Sequence, residues 1–234
     1  MRKLRILLVG FLLFAAASTA HAVTLQFDFD TPLEGDEFYE PTGPAPWLTA
    51  VFSDTYKVID GVTTDGVQLD LSASGLYADE FVTKWFFNTT LNSLDGLQHV
   101  DTLNGATLDI FSADIDAFNA GGGGNFDMYI QFNSSNALRF EQADLASFFL
   151  YGVTGLTAET FNALSTPEEK AYLAEAHIQG IMDSAGEPEL SAWVVPGDGG
   201  GGGGGTPVPE PGTMLLLGAG FLGLAVYGKR RQQK

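Results

Sequence analysis

Hydrophobic and polar residues alternate with a period of two along several short stretches of the chain. The alternation is clearest in residues 25–30, 67–72 and 126–133. A period of two places successive side chains on opposite faces of an extended strand, so each stretch predicts a strand with one buried face. Further predicted strands of similar apolar character are 47–52, 81–87, 106–111, 147–153 and 192–195.

Short turn sequences separate these predicted strands. They are Asp60-Gly61, Asp65-Gly66, Ser74-Gly75, Asp95-Gly96, Asn104-Gly105 and Gly121–Gly124. Glycine after Asp, Asn or Ser suits the positive φ that tight hairpin turns require. Short strands at this spacing predict a mainly β protein with a single antiparallel β-sandwich of jelly-roll type, spanning residues 23–196.

One stretch carries conflicting signals. Thr166-Pro167-Glu168-Glu169 has the residues of a helix start, with threonine at the N-cap, proline at N1 and glutamate at N3. The residues from 176 to 195 instead predict a terminal β-hairpin. We therefore expect short helical turns near 157–164 and 167–172, followed by strands.

The charged residues are distributed unevenly. The chain has 29 acidic and 11 basic residues and a net charge of −18. All 29 acids but only four basic residues lie between Asp28 and Glu210, so this middle part carries about −25. Such a charge excludes direct binding to nucleic acid, which requires Lys and Arg against the phosphates. The absence of cysteine excludes disulfides and thiolate metal sites, so packing alone must hold the domain together.

The N-terminus has the three parts of a secretory signal peptide, which we place at residues 1–22. A basic start precedes the apolar run Ile6–Ala17, and Ala20 and Ala22 provide the small side chains that signal peptidase accepts at its cleavage site. We predict a signal helix, export through the Sec translocon and a mature protein that begins at Val23. The alternative is an uncleaved anchor, although the apolar run is shorter than the about 20 residues of a membrane span.

The C-terminal part combines a linker with a hydrophobic helix. Residues 197–207 are rich in glycine and predict a flexible linker, because polyglycine has no side chains to bury. Residues 212–228 are apolar and uncharged, and as a helix they reach about 25 Å, enough to cross a thin bilayer. The basic residues after this predicted transmembrane helix act as a stop-transfer signal and keep the C-terminus in the cytoplasm. They are Lys229, Arg230 and Arg231.

The end of the chain, residues 208–234, resembles the PEP-CTERM sorting signal of exporting, exopolysaccharide-producing Gram-negative bacteria. The resemblance is carried by Val208, Pro209, Glu210 and Pro211, followed by the glycine-containing hydrophobic helix and the arginine-rich end. It implies recognition by exosortase, a membrane-embedded cysteine transpeptidase-like enzyme, and cleavage near Pro-Glu-Pro. The four motif residues are then substrate residues, and an ordinary single-pass tail anchor is the alternative.

The resemblance also implies a route through the cell. A precursor anchored transiently in the inner membrane is exported across it and processed, and the mature form lies in the cell envelope or the extracellular matrix. Exopolysaccharide is the expected associate there. The resemblance assigns no activity to the domain at residues 23–196.

Few residues of the exported domain suit catalysis. After removal of the signal peptide, His99 and His177 are the only histidines, and we expect each to be hydrogen-bonded locally. No nucleophile elbow, His-Glu-x-x-His pair or phosphate loop occurs outside the polyglycine run. We therefore expect a non-enzymatic protein. A secreted hydrolase is a further hypothesis that no group of residues supports.

Two pairs of acids are candidate metal ligands. Asp28 with Asp30, and Asp114 with Asp116, each place two carboxylates on one face of a strand. Calcium binds six to eight oxygens, so either pair would contribute to a weak Ca²⁺ site that relieves repulsion among the acids. The alternative is a solvated polar face without a cofactor.

The tryptophans Trp47, Trp85 and Trp193 are candidate glycan contacts. Carbohydrate-binding sandwiches stack sugars on exposed aromatic faces, whereas tryptophans in a small domain also fill the core. The sequence thus predicts an exported, exosortase-processed envelope or matrix protein. A carbohydrate- or calcium-binding adhesion module is the alternative, and neither the ligand nor the oligomeric state follows from the sequence.

Overall fold

A computed structural model describes residues 23–33, 39–167 and 171–197. The predicted signal peptide, the linker beyond Gly197, and the sorting signal with its transmembrane helix lie outside these residues. The described part consists of β-strands and one single-turn 3₁₀ helix, Ala158–Phe161. The strands are β1 (Thr24–Pro32), β2 (Leu48–Ile59), β3 (Val62–Ser72), β4 (Phe81–Phe87), β5 (Gln98–Asn104), β6 (Leu108–Asn119), β7 (Asn125–Phe132), β8 (Phe140–Glu141), β9 (Leu145–Tyr151), β10 (Ala174–Ile181) and β11 (Leu190–Pro196).

The strands form one antiparallel sheet in the order β5-β9-β3-β2-β1-β11-β10-β4-β7-β6, and β8 pairs with β4. The sheet is nearly closed into a barrel. Its two edge strands meet through side chains, since the ring of His99 on β5 stacks on Phe111 of β6 with centroids 4.0 Å apart. Within the described residues no backbone ladder joins these two strands.

The mainly β, antiparallel character predicted from the sequence is confirmed. The predicted sandwich of jelly-roll type has two separate sheets. Here β1 pairs with both β2 and β11, so one continuous sheet joins the two halves of the molecule. Alternation cannot distinguish these arrangements, since each strand buries one face in either of them.

The core fills the inside of the curved sheet. Leu25, Phe27 and Phe29 of β1 point inward and are at most 1% exposed, as their alternation predicts. Phe52 packs edge-on against Phe87 with centroids 5.1 Å apart, and such aromatic pairs stabilise a core beyond their buried area.

The ambiguous stretch resolves into a helical turn and a hairpin. The 3₁₀ helix confirms the helical turn predicted near 157–164, and β10 pairs with β11 as the predicted terminal hairpin. Thr166 does not cap a helix: it forms a β-bridge with Asn125, and its hydroxyl donates to Asp116 Oδ1 at 2.6 Å. The capping motif at Thr166 is thus overridden by tertiary pairing, and residues 168–170 of the second predicted turn lie outside the described residues.

The described ranges contain no helix with the length and apolarity that a bilayer crossing requires.

Candidate functional site

A second, smaller hydrophobic cluster lies on the side of the sheet away from the core. Strand β4 places Trp85 and Phe87 in the core and Phe86 on the opposite side. Phe86 is buried there because aromatic side chains from neighbouring segments cover it, including Phe126 and Tyr129. Strand β4 is therefore buried on both faces, unlike most strands of this sheet.

Four side chains from adjacent strands form a line across this outer face. Trp193 of β11 lies opposite His177 of β10, His177 opposite Lys84 of β4, and Lys84 opposite Gln131 of β7. All four are partly exposed. We call these four residues the outer row.

The aromatic end of the outer row is held rigidly. The rings of His177 and Trp193 stack with centroids 4.4 Å apart, and the backbone of Gly121 lies against the indole. A Cβ at position 121 would fall 2.2 Å from two ring atoms, so only glycine fits there. The indole is thus covered by two neighbours and presents its edge to solvent more than its face.

His177 is neutral at physiological pH. Burial, aided by the charge of Lys84, lowers the pKa of His177 to about 4. Its Nδ1 lies 2.8 Å from the hydroxyl of Thr83, which is itself buried. This contact fixes the ring and leaves Nε2 on the exposed side without a hydrogen bond among the described residues.

The polar end of the outer row is also oriented. The hydroxyl of Tyr129 donates to Oε1 of Gln131, so the amide nitrogen of Gln131 is left to donate elsewhere. Burial, aided by the charge of Asp109, raises the pKa of Tyr129. Lys84 makes no ion pair with any residue that the structure describes.

The structure separates the three candidate glycan contacts. Trp47 and Trp85 are 4% and 0% exposed and belong to the core, and the indole N–H of Trp47 donates to the carbonyl of Gly43 at 3.0 Å. Neither ring has a face available to a sugar in this fold. Trp193 alone is partly exposed, on the outer row, and its role in glycan contact stays a prediction.

The first pair of candidate metal ligands lies exposed on β1. Asp28 accepts hydrogen bonds from the side chains of Gln26, at 2.9 Å, and Thr49, at 3.3 Å. Asp30 accepts one from the hydroxyl of Thr31 at 3.0 Å. These carboxylates thus belong to a surface network of polar side chains.

The second candidate pair lies at an irregularity in the pairing of β6 with β7. Asp114 accepts from the backbone N–H of Ile115 at 2.9 Å, and Asp116 accepts from Thr166. No three His, Cys, Asp or Glu side chains within the described ranges gather as ligands for one metal ion.

Asp127, which the sequence pattern does not single out, connects the loop at Thr89 to β6. It is 4% exposed, and its two oxygens accept the backbone N–H groups of Thr89 at 2.8 Å and Asp116 at 2.7 Å. Burial raises its pKa, and the two hydrogen bonds oppose that rise. In the alternating pattern of β7 it resembles an ordinary solvated position, so the sequence offered no signal.

Two further buried carboxylates hold loops to the sheet. Glu80 accepts the backbone N–H groups of Thr42 at 2.6 Å and Tyr77 at 2.8 Å. Glu175 accepts the N–H of Gly121 at 2.8 Å and so fixes the loop that covers Trp193. Both act on the backbone, which is the usual role of a buried, hydrogen-bonded acid.

A family model described as the PEP-CTERM protein-sorting motif matches residues 207–231. The chain carries a PEP-CTERM sorting motif. This match confirms the resemblance seen in the sequence at 208–234 and identifies an exported protein that exosortase targets. No curated protein and no solved structure matches the chain.

The PEP-CTERM motif is joined to the outer face through one strand. Strand β11 carries Trp193 and ends at Pro196, and the motif follows after residues 197–206. The motif also implies a membrane-anchored precursor, in which the β domain precedes the anchor.

Proposed function

We propose that this protein is a non-enzymatic component of the cell envelope or extracellular matrix, which exosortase processes and which associates with exopolysaccharide. The PEP-CTERM motif at residues 207–231 carries this proposal. It follows a strongly acidic β domain and the glycine-rich residues 197–206. A sorting motif beyond such a linker would leave the β domain as the part that is delivered.

The chemistry of the described domain supports a binding or structural role. His177 is stacked on Trp193 and His99 on Phe111, so the imidazoles are used in packing. Burial lowers the pKa of His99, partly offset by Asp101 at 3.8 Å. The buried acids are likewise used to bind backbone N–H groups.

The route that we propose begins with the Sec translocon. Signal peptidase would cut after Ala22, and the segment at 212–228 would hold the precursor in the inner membrane until exosortase acts near Pro209. The basic cluster that follows this segment favours a cytoplasmic C-terminus.

Deletion of residues 207–234 followed by cell fractionation tests the sorting step. The intact chain is expected in the envelope or matrix at reduced mass, and the truncated chain is expected elsewhere. A matched variant, Pro209→Ala with Glu210→Gln, keeps the hydrophobic segment and should stay at precursor mass in the inner membrane. If both variants reach the normal compartment at the normal mass, the proposal fails.

Association with exopolysaccharide needs a separate test. In cells that make no exopolysaccharide, the processed protein should leave the matrix fraction and appear in the medium. Unchanged sedimentation with the cells would show that another envelope component retains it.

The outer row favours a second candidate, a carbohydrate-binding module. It combines a partly exposed tryptophan with hydrogen-bond donors on a rigid sheet, which is the composition of many sugar sites.

A further inference from the structure

We propose that the outer row binds the carboxylate of an anionic saccharide, with Lys84 as the residue that contacts the charge. This inference rests on the proposed function, because it names the class of sugar that the domain would meet in exopolysaccharide.

Lys84 forms no ion pair within the described part of the chain, although the domain is strongly acidic. Only four basic residues accompany the 29 acids between Asp28 and Glu210, yet among the described residues none of these acids forms an ion pair with Lys84. By contrast, Arg139 lies within 3.5 Å of Asp79 and also contacts Glu141. An unpaired ammonium on a half-buried strand position therefore suits an anion from outside the protein.

The two neighbours of Lys84 in the row carry no negative charge, and one of them adds hydrogen-bond donors. Gln131 on one side has its oxygen occupied by Tyr129, so its amide N–H groups can donate. His177 on the other side is neutral, and its Nδ1 is occupied by Thr83. A carboxylate at Lys84 would accept from the ammonium and from the amide of Gln131, and charge-assisted hydrogen bonds of this kind stabilise a bound anion.

The rest of the row suits a sugar. Trp193 contributes an apolar edge beside His177, and the buried Phe86 lies beneath it, with centroids 5.9 Å apart. Four neighbouring strands about 4.8 Å apart give the row a length of about 14 Å, which fits a short oligosaccharide lying across the strands. Amphipathic sugars bind to such mixtures of apolar edges and oriented donors.

The negative charge of the domain does not prevent this contact. At physiological ionic strength charges farther away than about 8 Å are largely screened. The acid of β10 nearest in register, Glu175, is fully buried and its Oε1 is bound to Gly121. Glu175 is thus engaged with the backbone of Gly121, and Lys84 is the one cation among the four residues of the row.

Calorimetric titration of the full chain in mild detergent tests the inference, with trigalacturonate as the anionic probe and maltotriose as its neutral counterpart. Trigalacturonate should bind, and Lys84→Met should weaken that binding by about tenfold or more, whereas Lys84→Arg should stay within about threefold. Lys57→Met is the matched control, since Lys57 lies 5.3 Å above the ring of Phe149, on another part of the sheet. This control should bind the probe as the parent does.

Three results with these probes and variants would overturn the inference. They are no binding of trigalacturonate, equal binding of maltotriose, or equal losses in Lys84→Met and Lys57→Met. Equal, Lys84-dependent binding of a hexaglutamate peptide would also overturn it, because the row would then select charge and not a saccharide. If the titration fails while the protein still depends on exopolysaccharide for its location, the inference falls and the proposed function stands.

Discussion

The outward surfaces of the two halves of the sheet differ in composition. Over β1, β2, β3 and β9 many outward side chains are acids, amides and hydroxyls, some of which bind one another, as Gln68 binds Asp70 at 3.1 Å, although Phe149 of β9 is buried on this side. We call this surface the polar face. Over β11, β10, β4 and β7 the outward side chains include Trp193, His177 and Lys84, which lie around the buried Phe86.

This contrast in burial indicates where the fold can specify a ligand. On the polar face most outward residues of β1, β2 and β3 are at least partly exposed, so they are solvated and replaceable. On the outer row a second aromatic layer fixes the outward side chains, and pre-oriented groups bind with a smaller loss of conformational entropy. A rigid, partly exposed row is therefore the better candidate for recognition.

Among the variants that test this contrast, Phe86→Ala should give the largest loss of stability. Phe86 packs against Phe126, Tyr129 and Trp193, so its truncation should lower the free energy of unfolding by about 3–5 kcal/mol. Urea denaturation followed by tryptophan fluorescence measures the loss, because all three tryptophans lie in the described domain.

Thr49→Ala on the polar face is the control for Phe86→Ala. It removes one long hydrogen bond to Asp28 and should change stability by about 0.5 kcal/mol or less. Similar losses in the two variants would contradict a second hydrophobic layer.

The pH dependence of stability probes His177. Its pKa falls from 6.5 in the unfolded chain to about 4 in the folded one. Above pH 6.5 the ring is neutral in both states. As the pH falls from 6.5 toward 4, the unfolded chain binds a proton that the folded chain excludes, so stability falls by about 1.4 kcal/mol per unit, about 3 kcal/mol in all.

Comparison with His177→Gln isolates this contribution from the carboxylates that titrate at lower pH. The difference in unfolding free energy between parent and variant should change over this window and stay constant above it. A constant difference down to pH 4 would show that His177 is readily protonated in the folded protein.

The sequence predicts the polar face well and the outer row poorly. Strict alternation at 25–29 and 67–72 gives the buried positions of β1 and β3, because each strand has one solvated side. Strand β4 is apolar nearly throughout, so its pattern does not say which residues face the core. The outer row depends on register between strands from distant parts of the chain, and single-strand patterns carry no such information.

The candidate functional residues also differ in how far the sequence alone predicts them. The sorting motif is local and was predicted from its residues alone. Trp85 and Trp193 are equivalent in the sequence, yet one is buried in the core and the other lies on the outer row. The alternation of β7 predicts a solvated Asp127, whereas in the structure it is buried and bound to the backbone of the loop at Thr89.

Asp127→Asn tests the buried carboxylate next to Phe126, a residue of the second hydrophobic cluster. The carboxylate accepts two backbone N–H groups, and an amide has only one oxygen to offer, so one donor would face an NH₂ group. We expect a loss of about 2 kcal/mol in the free energy of unfolding, which is typical of an unsatisfied buried donor. A neutral effect at pH 7 would mean that relief of the raised pKa compensates for the lost bond.

The smallest effect is expected at the centre of the polar face. Asp70 accepts hydrogen bonds from the side chains of Gln68 and Ser147. Asp70 is exposed and the other two side chains are partly exposed, so water can reach all three. Because water replaces such bonds, Ser147→Ala should change the free energy of unfolding by about 0.5 kcal/mol or less in urea denaturation. A loss above about 1.5 kcal/mol would show that the polar network holds β3 to β9, and the contrast between a replaceable and a fixed outward surface would then fail.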